Sequence, residues 1–232
     1  MQSLNHARVD AAHLMDGLFV ITQGRKDRGK SQNRIVETTF GTVHIKFACV
    51  EPLGVTDQTL FLVLNAIAGI QKTIISSDGS EYAQAMHALL QAKDECANLK
   101  GVLVATARPD LVLQTQLQDS GTNRRRVDEA LERLGNVVVW IYDTKTKKGG
   151  NSLLLGVRRD GEMRYVSLNH RVYNALFFSG YIRIDLFERA QIKSDVGLLV
   201  HAFFSRWLRV GDGRRKIGWG TLAAHVWIDS LG

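Results

Sequence analysis

Residues 110–143 run DLVLQTQLQDSGTNRRRVDEALERLGNVVVWIYD, and the punctuation of this stretch decides the fold. Pro109, just ahead of it, suits the first turn of a helix, where a missing N–H costs nothing. That helix carries Leu111, Val112 and Leu117 and is expected to end near Asp119. A turn at Asp119–Thr122 follows, with Gly121 as the residue able to take a positive φ. Beyond it Val127, Ala130, Leu131 and Leu134 recur at i, i+3, i+4 and i+7, which predicts a second helix with a narrow apolar seam and a free opposite face. Two short helices around such a bend have helix-turn-helix spacing. The N-terminus and free face of the second helix hold Thr122, Asn123, Arg124, Arg125 and Arg126. Cations at a helix start oppose its dipole unless an anion is present, and a phosphate would be such an anion.

Working outward, Val137–Asp143 reads as a strand, Thr144–Gly150 as a turn carrying Lys145, Lys147 and Lys148, and Leu153–Arg158 as the returning strand. A helix-turn-helix followed by a basic hairpin predicts a winged helix. Upstream, residues 34–47 alternate apolar and polar around Gly41, as a hairpin does. Thr56 is the expected cap of a helix over Asp57–Ala68 that is apolar nearly all round, hence central, and that Gly69 should end. A helix over roughly Glu81–Asn98 and a strand at Val102–Ala105 complete the first half.

After Gly161 the pattern restarts with a strand at Met163–Leu168, a helix near Arg171–Phe178 and a strand at Tyr181–Ile184. Ser194 caps a helix that places Leu198, Leu199, Ala202, Phe203 and Trp207 toward a core, with His201 beside them as a core histidine. A basic segment, Arg214, Arg215 and Lys216, precedes a short helix at Trp219–Trp227, read as the first helix of a second helix-turn-helix. Gly232 arrives where its recognition helix should begin. The expected fold is therefore α+β and mainly helical, with two tandem winged-helix domains. Residues 1–160 form the first, with a basic arm and a β-hairpin, and residues 161–232 form the second, truncated at its C-terminus.

The chain has 232 residues, 45% hydrophobic and 23% charged, which suits one large or two small globular domains, two being the expectation here, and excludes a disordered or fibrous chain. Thirty Lys and Arg against 23 Asp and Glu leave a net charge of +7, so a polyanion, nucleic acid first, is the expected partner. The apolar runs Val137–Tyr142 and Leu198–Phe204 fall short of the roughly 18 residues that span a bilayer. Met1–Asp16 has no apolar stretch of the kind a secretory signal needs, so the protein is expected to act in the bacterial cytoplasm. Cys49 and Cys96 stand apart from each other and from histidines, as buried free thiols do. The seven histidines form no H-x-H or H-E-x-x-H pair, so neither a metal nor a metal-dependent nicking activity is expected.

Residues 24–31, GRKDRGKS, match the phosphate-loop pattern G-x-x-x-x-G-K-[ST], and Val137–Asp143 could serve as the acidic strand of a P-loop NTPase. Such a loop works between a strand and a helix, whereas QNRIVETTF after Ser31 alternates like a strand, and Arg25, Lys26 and Arg28 crowd positions that favour small residues. A basic arm touching DNA is the competing reading. G-x-S-x-G is absent.

Short pieces along the chain resemble the replication initiator protein C of IncQ-type broad-host-range plasmids, within the wider class of iteron-binding theta-type initiators. They are GLF at Gly17–Phe19, EPLG at Glu51–Gly54, ERL at Glu132–Leu134, SLN at Ser167–Asn169, the helix with Leu199, His201 and Trp207, and Val226–Trp227, all in the same order. The resemblance implies two winged-helix domains that bind repeated iterons in double-stranded origin DNA and help to open the duplex, after which a replicative helicase and primase load. It implies no covalent chemistry and no cofactor. The same features suit a transcriptional repressor of its own promoter, and a homodimer stays open.

Overall fold

The computed structural model describes residues 4–21, 33–178, 180–208 and 215–227. Its strands in chain order are β1 (His6–Asp10), β2 (Arg34–Phe40), β3 (Val43–Cys49), β4 (Thr73–Ile75), β5 (Lys93–Asp94), β6 (Gly101–Ala107), β7 (Val138–Asp143), β8 (Lys148–Leu153), β9 (Leu155–Asp160), β10 (Met163–Leu168) and β11 (Tyr181–Asp185). Its α-helices are α1 (Val55–Gln71), α2 (Glu81–Ala88), α3 (Arg108–Gln114), α4 (Gly121–Gly135), α5 (His170–Phe177), α6 (Leu186–Gln191), α7 (Asp195–Trp207) and α8 (Trp219–Val226). Helix takes 41% and strand 30% of the described residues, so the fold is mixed α/β rather than mainly helical.

Helix α1 is the hub. Its Leu60, Phe61, Leu62, Val63 and Leu64 are all buried, because β1, β6, α4, α5 and α7 surround it. Asp57, not Thr56, secures its start by accepting from the Gly54 N–H at 2.7 Å. The helix runs through Gly69 and stops at Lys72, which takes the left-handed conformation with φ 51. Three antiparallel sheets flank it, in the orders β2-β3-β7-β8-β5, β4-β6-β10-β9 and β1-β11.

The expected hairpins form, but with shifted partners. β2 and β3 pair around Gly41. The strand returning after β7 is Lys148–Leu153, with a turn at Thr144–Lys147, whereas Leu155–Asp160 joins a different sheet beside β10. Gly149 and Gly150, expected in the turn, sit inside the sheet because other backbone comes too close for a side chain. A Cβ at Gly149 would meet the Ile141 carbonyl at 2.6 Å, and one at Gly150 the Lys93 carbonyl at 2.5 Å. Helix α2 is half the expected length, since Lys93 and Asp94 are drawn off as β5 to pair with β8.

The division at 160/161 falls inside the β9–β10 hairpin, where Asp160 pairs with Met163. β10 also pairs with β6, β1 pairs with β11, and one apolar core extends from Ala7 to Val226. The two halves are thus built into each other. Sequence reading also missed β1, the 3-10 turn Ala11–Leu14 and α6, each too short to show a periodicity.

Candidate nucleic-acid interface

The α3–α4 unit forms from signals one step away from those expected. Helix α3 stops at Gln114, and the residue with positive φ in the connection is Gln116 at 64°, not Gly121. Gly121 is already the first residue of α4, because Ser120 caps that helix by accepting from the Asn123 N–H. The seam is as expected: Val127, Ala130, Leu131 and Leu134 are buried.

Ion pairs then fix α4 in place. Arg133 donates to Asp57 at 2.8 Å in a pair that is almost fully buried, tying α4 to α1. Asp128 accepts from Arg164 at 2.8 Å and Arg108 at 3.2 Å, tying α4 to β10 and α3. Burial alone would raise the Asp128 pKa, but the hydrogen bonds from Arg164 and Arg108 outweigh it and hold the carboxyl below its ordinary range. No sequence signal marks these partners, which lie up to 76 positions apart.

The residues expected to touch DNA divide into classes. Arg124 is engaged at both ends of its guanidinium by Asp119, at 2.6 Å each, with Glu162 at 3.7 Å. The Asp119 carboxyl is held below its usual range by that hydrogen bonding. Asn123 turns back to donate to the Gln118 carbonyl at 2.8 Å. Arg126 donates to Thr56 Oγ1 at 2.7 Å. Arg125 is 69% exposed and makes a loose 3.6 Å contact with Glu129 along the helix, and Thr122 is exposed beside it. The outward face of α4 is therefore basic only in its first two turns, with Glu129 and Glu132 below.

Lys145 and Lys147 stand exposed on the β7–β8 tip. Asp143 shapes that tip by accepting the backbone N–H groups of Lys145 at 2.8 Å and Thr146 at 3.1 Å, which lowers its pKa. Lys148 is exposed and pairs with Glu95 at 3.4 Å. Arg215 lies over the Trp207 ring, 5.6 Å from its centre, and donates to the Trp207 carbonyl, while Lys216 is exposed. Arg214 and the phosphate-loop pattern Gly24–Ser31 lie outside the described residues. After that pattern a strand, β2, begins at Arg34, and β7 sits antiparallel between β3 and β8.

Cys49 and Cys96 are buried free thiols, and burial pushes both up to about 11. His201 is mostly buried, with Glu188 at 3.6 Å from Nε2 and, among the described residues, no partner for Nδ1. Among the described residues no helix is long and apolar enough to cross a membrane.

A family model described as Replication protein C (RepC) matches residues 1–231. The chain belongs to the RepC family. It is thus a replication protein. Among solved structures, a crystal structure of domains 2 and 3 of RctB is similar at 13% identity, covering 82% of this chain and 68% of that one, with a TM-score of 0.43. No curated protein matches the chain.

Proposed function

We propose that this RepC-family chain is a non-enzymatic initiator of plasmid replication that binds iteron repeats in double-stranded origin DNA, promotes opening beside them, and so allows a helicase and primase to load. The observation that carries the reading is the start of α4, where Thr122 and Arg125 face outward on a helix that two sets of ion pairs tie to α1, α3 and β10. In helix-turn-helix proteins the N-terminal residues of the second helix contact bases, and an arginine there can bond guanine O6 and N7. Lys145, Lys147 and Lys216 would contact phosphates, adding affinity and salt dependence without sequence information. We read α1, α3, α4 and the β7–β8 hairpin as a first winged helix, and α5 to α8 with β10 and β11 as a second that shares its core. Nothing in this reading uses nucleotide hydrolysis, since a strand and not a helix follows the phosphate-loop pattern.

Competition binding with iteron and random duplexes tests the reading. Arg125→Ala is expected to cost about 1–3 kcal/mol of discrimination for the base pair it reads. Lys145→Ala with Lys147→Ala should weaken both duplexes alike and flatten the salt dependence. Arg124→Ala should loosen the α3–α4 turn, lower the melting temperature and be mimicked by Asp119→Ala. An unchanged iteron preference in Arg125→Ala would remove α4 as the reader.

A further inference from the structure

A cleft of about 760 Å³ opens between the first turns of α1, the α3–α4 turn and the α6–α7 corner. Much of its wall is apolar: Val63, Leu117, Ile192 and Leu198 line it, and Leu113 and Phe187, 47% and 71% exposed, carry that wall out to solvent. The volume lies within the roughly 300–1,000 Å³ range of small-molecule sites.

Its charged lining is mostly cationic. Arg189 is 3% exposed, and its Nη1 donates to the Leu198 carbonyl at 2.7 Å while Nη2 donates to Gln58 Oε1 at 2.8 Å and Thr59 Oγ1 at 3.1 Å. All three acceptors are neutral, and among the described residues Nε has no partner. Among the described residues no carboxylate pairs with this guanidinium, and burial lowers its pKa to about 10 with no acidic neighbour opposing. Arg126 and Lys193 also line the cleft, and among the described residues the one carboxylate in the lining is Asp195, which is exposed at the start of α7. A buried cation without a counter-charge is costly, and a bound anion offsets that cost. Three other arginines with little exposure, Arg133, Arg164 and Arg171, each have an aspartate.

We propose that the cleft binds a small amphipathic anion, a carboxylate or phosphate monoester on an apolar body, with the charged end toward Arg189 and the body against Leu113, Leu117 and Phe187. A duplex phosphate does not meet this description, because Arg189 is 3% exposed and lies below the surface, out of reach of a phosphate fixed in a duplex backbone. The site is independent of the DNA-binding reading, so either can fail alone.

The probes are octanoate and octyl phosphate, set against octanol, which has the body without charge, and inorganic phosphate, which has charge without the body. Calorimetric titration and thermal unfolding of the full chain at matched ionic strength are the readouts. Octanoate or octyl phosphate should bind saturably and raise the melting temperature, with octanol and phosphate at least roughly tenfold weaker. Arg189→Met should abolish the preference for octanoate over octanol. Because Arg189 also ties α6 to α1 and α7, two surface variants accompany it: Leu113→Asp places a like charge on the exposed wall, and Lys193→Glu reverses a cation of the lining. Both should keep the unliganded melting temperature and weaken binding of the anionic probes by roughly tenfold. Equal stabilisation by octanoate and octanol, unchanged affinity in Leu113→Asp, or displacement of octanoate by short duplex DNA would each overturn the proposal.

Discussion

At the start of α4, Arg124 commits its guanidinium to Asp119 while Arg125, one position on, projects into solvent. The sequence shows three consecutive arginines of equal standing, and only their placement around a helix separates one bound to an acid from one that faces solvent. The same holds for histidines. His13 is buried between Phe47 and Phe61, and burial lowers its pKa from 6.5 to about 4; His170 is shifted likewise, burial again being the main cause. Both rings are neutral when folded and take up a proton on unfolding between those values, so the unfolded state binds more protons in that window. Stability is therefore full above pH 6.5 and falls as the pH drops toward 4, by up to about 1.4 kcal/mol per pH unit for each histidine. Urea unfolding at steps from pH 7 to 5 should show this slope, and His13→Leu should remove one proton's share of it.

At the scale of elements, the periodic segments were legible and their junctions were not. The α4 seam and the β2–β3 hairpin follow from residue spacing, and the central place of α1 from its being apolar nearly all round. Gly121 and the Gly149–Gly150 pair look alike in sequence, as glycines at a bend, yet their surroundings differ. A Cβ at Gly121 meets nothing within 4 Å and the residue is helical, whereas one at Gly150 would lie 2.5 Å from the Lys93 carbonyl and 2.8 Å from the Cys96 amide. Gly121→Ala is thus expected to leave stability unchanged or raise it by up to about 1 kcal/mol. Gly150→Ala should cost about 1–3 kcal/mol through overpacking at the β5–β8 contact. Chemical denaturation of the two variants, side by side, checks both signs.

For the whole molecule, the decisive feature is that the second half completes the first. β10 supplies a central strand beside β6, β11 pairs with β1, and the Ile21 amide donates to the Val226 carbonyl at 2.8 Å. Arg206 reaches back from α7 to the Leu14 carbonyl at 2.9 Å. A fragment of residues 1–160 would leave the edges of β6, β9 and β1 unpaired and the α1 surface under α5 and α7 uncovered. It should show exposed apolar surface and no cooperative unfolding transition, while co-expression with residues 161–232 should restore one. Dye binding and thermal unfolding of the fragment, alone and with its complement, provide the test.

The sequence by itself determined that two helices with a bend between them precede a hairpin with a basic tip, and that the chain is cationic, since these rest on local spacing and net charge. What only the tertiary structure decided was which cations have carboxylates. Arg108, Arg124, Arg133 and Arg164 are bound to acids, with partners from 5 to 76 positions away, Arg125 remains outward, and Arg189 is buried with none among the described residues. Pairing of that kind depends on which strands and helices meet, and a short-range pattern carries no record of contacts made after the chain has folded back on itself.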